Sequence, residues 1–202
     1  MRKSAFILLN ILWSCKLFAQ TAGIQFNTGF GKPIVMFDAP NSTVNYQSAL
    51  YNDTRLGIWA GDYDKFSGGL LFGAFNVNAN YVNPDGLASE FQYSSLLIDV
   101  PLRYAISKSF IKSISIGPSM NILMSASQNI NGKPVYSDQI FKAISWNLSA
   151  EISFKGYESD AFSLSPYMNY KQMLTSVDMN DANETLNLNS FSLGLRCDIP
   201  LP

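Results

Sequence analysis

Apolar and polar residues alternate along most of this chain. The clearest example is AISWNLSAEISFK, in which every second residue from Ile144 to Phe154 is apolar and the residues between them are Ser, Asn or Glu. Successive side chains of a β-strand point to opposite faces. The segment therefore predicts a strand with one apolar face and one polar face.

Eight segments of the chain alternate in this way, and no helical period competes with them over a comparable length. Short connections such as DYDK, SKS and GYESD alternate with longer polar ones, as expected when antiparallel strands cross a layer and return. We therefore predict an all-β fold, an eight-stranded antiparallel up-and-down β-barrel. The eight segments are AGIQFNTGFG, TRLGIWA, LLFGAFNVNANYV, SSLLIDVPLRYAI, IKSISIGPSMNILMS, AISWNLSAEISFK, FSLSPYMNYK and FSLGLRCDIPL.

The composition of the polar face indicates a membrane barrel. A soluble barrel turns its polar face to water and covers it with Lys and Glu, but the polar face of this chain is mostly Ser, Asn and Gly. Charged residues make up only 14% of the chain, against about 25% in typical soluble domains. Residues 96–106, 114–124, 144–154 and 191–201 are each 11 residues long, which suits a tilted membrane-spanning strand. The apolar faces are then expected to contact lipid. The alternative is a soluble, exported, lipocalin-like barrel that holds an apolar ligand.

The N-terminus has the features of an export signal. MRK is positively charged, SAFILLNILW is an apolar core too short to span a bilayer, and LFAQ resembles a cleavage site. We predict a signal peptide at residues 1–20 and an outer-membrane β-barrel domain at residues 21–202. Lipid attachment at Cys15 and a buried N-terminal helix are the alternatives.

Aromatic residues collect near the ends of the predicted strands. Side chains in such positions commonly form girdles at the two membrane–water interfaces. The candidates are Tyr93, Tyr104, Phe110, Phe154, Phe162, Tyr170 and Phe191.

Three carboxylates and four cations lie on the polar faces of the predicted strands. Unpaired charges inside a narrow barrel would be costly, so we expect them to form one network of salt bridges and hydrogen bonds. Such a network would close the lumen, although a polar pathway for ions or small solutes is the functional alternative. The seven residues are Asp99, Arg103, Glu151, Lys155, Lys171, Arg196 and Asp198.

Several functional classes are disfavoured by the sequence. The chain has no histidine, the commonest general base and metal ligand, so we expect neither an enzyme nor a cofactor. A net charge of −1 without a basic run argues against nucleic acid as a partner. Asp178, Asp181 and Glu184 lack the spacing and the glycine of an EF-hand, so no metal site is expected.

Several of the strands resemble those of the small outer-membrane β-barrel, porin-like family of Gram-negative bacteria. The central strand of that family carries an L-x-[IV]-P-[LV] element, matched here by IDVPL at residues 98–102, and the next strand carries a GP element, matched by Gly117 and Pro118. One departure is the C-terminus, which reads IPLP where many such barrels end on an aromatic residue.

The resemblance implies an outer-membrane protein in contact with lipid and folded by the outer-membrane assembly machinery. We expect a non-enzymatic structural or surface-binding role, with a surface ligand that the sequence does not identify and with limited pore activity at most. An accessory subunit of an envelope secretion system is the alternative that the resemblance permits.

Pro101 is the anomaly of the central strand SSLLIDVPLRYAI. Proline cannot donate to the hydrogen-bond ladder, and a closed barrel has no free edge at which to place it. We therefore predict a local bulge or a missing hydrogen bond at this position.

A membrane barrel should be extracted from cell envelopes only by detergent, and it should migrate differently in gels before and after heating. Fractionation of cells that express the chain measures both properties. Release of the protein with the soluble periplasmic contents would support the lipocalin-like alternative instead.

Overall fold

The computed structural model describes residues 21–39, 42–48, 50–62, 65–82, 88–106, 109–130, 132–136, 144–175, 177–178 and 185–201. The predicted signal peptide lies outside these residues. No helix long and apolar enough to cross a membrane occurs in the described part of the chain. The strands are β1 (Thr21–Ala39), β2 (Ser42–Ser48), β3 (Tyr51–Gly61), β4 (Phe66–Val82), β5 (Ala88–Asp99), β6 (Leu102–Ala105), β7 (Ile111–Ile130), β8 (Lys133–Tyr136), β9 (Ile144–Phe154), β10 (Tyr157–Glu158), β11 (Ser163–Met173), β12 (Val177–Asp178) and β13 (Thr185–Leu201).

The strands form one closed antiparallel barrel. Pairing runs from β1 through β3, β4, β5, β7, β9, β11 and β13, and β13 pairs back onto β1 along its length. Three short strands lengthen this wall. Strand β2 lies before β3 in the chain and pairs with β1, and β6 follows β5 and pairs with β4. Strand β8 pairs with β7 beyond the start of β9. The predicted eight-stranded up-and-down β-barrel is confirmed.

The two ends of the barrel differ. One end, here called the turn end, holds Thr21, Leu201 and the short connections from β3 to β4, β6 to β7 and β9 to β11. The opposite end, here called the loop end, holds the last residues of β1, β4, β7 and β11 and the first residues of β3, β5, β9 and β13. Three of the four stretches that join these strands are longer than any connection at the turn end, as is common in outer-membrane barrels.

An apolar belt surrounds the outside of the barrel. Large apolar side chains are exposed on every wall, although a soluble protein rarely exposes a continuous apolar surface of this extent. A soluble barrel with an apolar ligand inside would need the opposite arrangement of faces. Representative members of the belt are Phe26, Ile58, Phe72, Leu96, Ile116, Trp146, Met168 and Leu193.

Aromatic side chains border the belt at the turn end. The ring centroids of Phe66 and Tyr104 lie 4.9 Å apart, and those of Phe110 and Phe154 lie 5.1 Å apart. These residues are placed where an interfacial girdle is expected. Tyr93 does not join such a girdle, because its side chain is buried inside the barrel.

The two faces exchange character towards the loop end. On β4, Phe75 and Val77 are buried inside the barrel, whereas Asn76 and Asn78 are exposed outside. The alternation of this segment was correctly predicted, but the expectation that its apolar residues face lipid was wrong. The polar outer face indicates that this part of the barrel wall lies outside the hydrocarbon layer and faces water. Apolar side chains are therefore buried inside the barrel here.

These inward apolar residues form a compact cluster, here called the apolar plug. Tyr51 and Phe75 meet edge to face, with ring centroids 5.0 Å apart. The plug fills the barrel near the loop end. Its members are Val35, Tyr51, Phe75, Val77, Ala79, Phe91, Tyr93, Ala126, Met173 and Leu188.

Pro101 interrupts the ladder without changing its register. The strand assignment stops at Asp99 and resumes at Leu102, yet Asp99 opposes Ser119 and Leu102 opposes Ile116, so no residue is inserted. Of the two predicted outcomes, the missing hydrogen bond applies, because Pro101 has no N–H to donate. The neighbouring bonds are kept: Val100 N donates to Pro118 O over 3.0 Å, and Gly69 N donates to Pro101 O over 2.9 Å. A Cβ on Gly117 would lie 2.1 Å from the carbonyl oxygen of Val100, so only glycine fits opposite the interruption.

Cysteine labelling tests the exchange of faces on β4. In a background with both native cysteines replaced, Asn78→Cys should react rapidly with a bulky hydrophilic maleimide, while Val77→Cys should react at least about tenfold more slowly because the plug covers it. Mass spectrometry of the folded protein in lipid vesicles measures both rates. Equal protection of the two thiols would contradict the exposed position of Asn78.

Candidate functional site

Buried charged side chains cross the middle of the lumen. Strands β3, β5, β6, β9, β11 and β13 contribute four carboxylates and four cations, each no more than 5% exposed. Their formal charges cancel. This set, here called the charge network, consists of Asp53, Arg55, Asp99, Arg103, Glu151, Lys171, Arg196 and Asp198.

Arg55 lies at the centre of the charge network. Its Nε is 3.1 Å from Asp53 Oδ1, and its Nη1 is 3.1 Å from Asp99 Oδ2. Its Nη2 is 3.0 Å from Glu151 Oε2. The guanidinium also lies over the ring of Tyr167, 5.3 Å from the centroid. A single planar cation with several fixed donors thus joins carboxylates from three strands.

Arg196 extends the network towards the turn end. Its Nη1 is 3.2 Å from Glu151 Oε1, so Glu151 is shared between two arginines. Its Nε is 3.0 Å from Asp198 Oδ2, and its Nη2 donates to Ser113 Oγ over 3.2 Å. Arg103 Nη2 lies 3.6 Å from Asp198 Oδ1. The charged side chains therefore form one continuous series of contacts and not a set of isolated ion pairs.

Neutral donors complete the coordination of the carboxylates. Asp53 Oδ2 accepts from Tyr167 Oη over 2.9 Å and from Ser192 Oγ over 2.6 Å. Glu151 Oε2 accepts from Asn27 Nδ2 over 3.3 Å. Buried carboxylates need several donors to offset the loss of hydration, and the Ser- and Asn-rich inner face supplies them.

Glycines on the inner face make room for aromatic rings beside the charges. A Cβ on Gly23 would lie 2.6 Å from the Trp59 ring, and a Cβ on Gly194 would lie 2.8 Å from the Tyr167 ring. Arg103 in turn lies 5.9 Å from the centroid of Trp59. Glycine is therefore required where large inward side chains fill this narrow barrel.

A second ion pair lies at the turn end. Lys112, whose side chain is buried, places its Nζ 2.9 Å from Glu158 Oε1 and donates to Ser163 Oγ over 2.9 Å. The register shifts between Ile111 and Ser113, so Lys112 is the extra residue of a bulge. The bulge turns a cation inward below the charge network.

The structure brings six of the seven sequence-predicted residues together in the lumen. The exception is Lys155, which is exposed and follows the last residue of β9, Phe154. The alternating pattern was extended one residue too far, because the pleat stops fixing side-chain direction where the strand ends. The six residues in the lumen are Asp99, Arg103, Glu151, Lys171, Arg196 and Asp198.

Asp53 and Arg55 are not among the residues predicted from the sequence, although Arg55 is the centre of the network. TRLGIWA is the shortest alternating segment, and Asp53 precedes it in a polar stretch that resembles a loop. One feature of the sequence could have identified Arg55. It is four residues from Trp59, so both side chains lie on the same face of the strand, which is the inner face.

The chemistry of the charge network is that of mutual neutralisation. Each of its carboxylates is in contact with at least one cation of the network. Among the described residues, no group of three or more His, Cys, Asp and Glu side chains could hold a metal ion. The arrangement therefore links strands across the lumen.

Comparison with solved structures places the fold. No protein-family model matches the sequence, and no curated protein sequence is similar to it. The outer membrane protein AlkL, solved in DMPC lipid bilayers, is similar with a TM-score of 0.50 and 13% identity over 91% of this chain and 92% of that chain. The fold is that of a small outer-membrane β-barrel. With the apolar belt on its outside, the chain spans the outer membrane through its strands.

Two further barrels align over similar lengths. The outer membrane protein OprG from Pseudomonas aeruginosa gives a TM-score of 0.46 at 14% identity, over 90% of this chain and 97% of that chain. Neisserial surface protein A gives a TM-score of 0.45 at 12% identity, over 88% and 96%.

Removing Arg55 should strongly destabilise the barrel. Arg55→Met leaves three buried carboxylates short of a cation, and breaking a buried ion pair from one side typically costs about 3–5 kcal/mol. Urea unfolding in lipid vesicles, followed by tryptophan fluorescence, measures the loss.

Lys155→Met is the matched control for that variant. Since Lys155 is exposed, its replacement should change the unfolding free energy by less than about 1 kcal/mol. Equal losses for the two variants would contradict the placement of Arg55 at the centre of the network.

Proposed function

We propose that this protein is a non-enzymatic outer-membrane barrel with a closed lumen, which acts through its surface as a structural or surface-binding protein. The observation that carries the proposal is the charge network, in which four carboxylates and four cations neutralise one another across the barrel. Residues 1–20 would direct its export, and the outer-membrane assembly machinery would insert it.

Two barriers in series support a closed lumen. The interior of an eight-stranded barrel is only wide enough for its own side chains to fill. An ion entering from the loop end would first meet the apolar plug, where Phe75 and Phe91 are almost fully buried. It would then have to displace Arg55 from its carboxylates. Any pore activity should therefore be small and transient.

The same contacts favour a non-catalytic role. A hydrolase built on Asp99 and Glu151 would need one carboxyl group able to act as an acid and a path for substrate. Both carboxylates instead face Arg55, and the plug lies between them and the loop end. The geometry therefore supports a structural role for Asp99 and Glu151, in which they neutralise the neighbouring cations.

Planar-bilayer recording tests the closed lumen. Purified wild-type protein should give no stable conductance under conditions in which a known porin, inserted as a control, gives its usual steps. Brief, small events are compatible with limited pore activity. A large, stable and ion-selective conductance would contradict the proposal.

A further inference from the structure

A polar sheet face lies on the outside of the barrel near the loop end, on strands β4, β5 and β7. On β4 and β5, three directly opposed pairs of residues point outward, and all six side chains are polar. The next outward pair towards the turn end, Ala74 and Leu96, is apolar and exposed and belongs to the apolar belt. The polar face therefore begins directly outside the hydrocarbon layer. Its six members on β4 and β5 are Asn76, Asn78, Asn80, Ser94, Gln92 and Glu90.

A β-bulge extends this face onto β7. The register of β5 with β7 shifts between Ser94 and Ser95, so Met124 is an extra residue on β7. Without it, strand alternation would turn Ala126 outward and the polar residues on either side of it inward, into the apolar plug. The bulge thus completes a face of three strands with three residues each, here called the polar patch. Its members on β7 are Ser125, Ser127 and Asn129.

The apolar plug supports the polar patch from the inside. The residues between its members on β4 and β5 point into the barrel and are almost fully buried, as Val77 and Phe91 illustrate with 1% exposure each. Side chains carried by a packed sheet are held more precisely than side chains on a loop. A ligand on the patch would therefore not have to order the backbone on binding.

The side chains of the polar patch have hydrogen-bonding groups available to a partner outside. Ser94 Oγ donates to Asn76 Oδ1, which leaves the Asn76 amide N–H groups directed elsewhere. Gln92 Nε2 donates one hydrogen to Glu90 Oε1 over 3.0 Å. Within the described part of the chain, no side-chain hydrogen bond engages the exposed amide of Asn78. The patch thus presents amide donors and acceptors side by side.

The polar patch is almost free of charge. Glu90 is its one ionisable residue, and none of its nine residues is Lys or Arg. Surfaces that only face water usually carry both signs of charge. Phosphate and sulfate groups are recognised chiefly by cations, so the patch does not suit an anionic ligand.

Neutral sugars match the patch in chemistry and in size. Sugar hydroxyls both donate and accept hydrogen bonds, as do the amides and hydroxyls of Asn, Gln and Ser. Strand spacing and the repeat along each strand make the patch about 10 Å by 14 Å, which spans more than one sugar unit.

We propose that the polar patch binds a neutral polysaccharide chain at the cell surface. The inference rests on the proposed surface-binding role and names the class of ligand. The closed lumen is tested separately by conductance, so a protein that binds no glycan could still have a closed lumen, and the two proposals can fail independently.

An NMR titration tests the proposal. The full chain, labelled with ¹⁵N and refolded in detergent micelles, is titrated with four neutral glycans: dextran, mannan, galactan and chitin oligosaccharides. At least one should shift the side-chain amide signals of Asn76, Asn78 and Gln92 and leave that of Gln172, an exposed amide on β11, unchanged. Heparin, an anionic glycan, should leave the three patch signals unchanged.

Two variants locate the binding to the patch. Asn78→Leu/Gln92→Leu should weaken binding of the active glycan at least about tenfold, because several hydrogen bonds are lost. Gln172→Leu removes an exposed amide elsewhere on the barrel and should leave the affinity unchanged.

Three outcomes would overturn the proposal. They are the absence of patch shifts with all four neutral glycans, patch shifts with heparin larger than those with any neutral glycan, and an unchanged affinity in the folded double variant. The first two are measured on the wild-type protein, so they decide the matter even if the double variant does not fold.

Discussion

The contact of one guanidinium with three carboxylates is the interaction on which the lumen depends. Arg55 meets Asp53 on its own strand, Asp99 on β5 and Glu151 on β9. Lipid outside the barrel cannot solvate a charge, so the chain places its membrane-level charges inside, where they must neutralise one another. The cost of burying each ion is offset only while all of them are present. The network therefore ties together strands that are not neighbours in the wall.

The lumen is organised in layers that follow the surroundings of the wall. Where the outer surface is apolar, the interior is ionic, with Arg55 and Arg196 as its main cations. Where the outer surface becomes polar, as at Asn76 and Asn78, the interior becomes apolar around Phe75. Strand alternation produces both arrangements from one backbone, and the medium outside determines which face carries the apolar residues.

Alternation predicted the strands, the closed antiparallel barrel and the lumenal position of residues such as Asp99 and Arg196. It could not predict that Phe75 points inward, because a period of two assigns residues to faces without showing where along the barrel the membrane ends. Lys155 was misplaced because the pattern continues beyond the end of the strand. The central role of Arg55 depends on contacts across the lumen that no local pattern contains.

A double-mutant cycle between Arg55 and Glu151 tests the interdependence of the charges most directly. Unfolding free energies in lipid vesicles are compared for Arg55→Met, Glu151→Gln and the double variant. Because each residue loses a partner when the other is removed, the double variant should be at least about 1 kcal/mol more stable than the sum of the single losses implies. Losses that add to within about 0.5 kcal/mol would show independent charges and contradict the account.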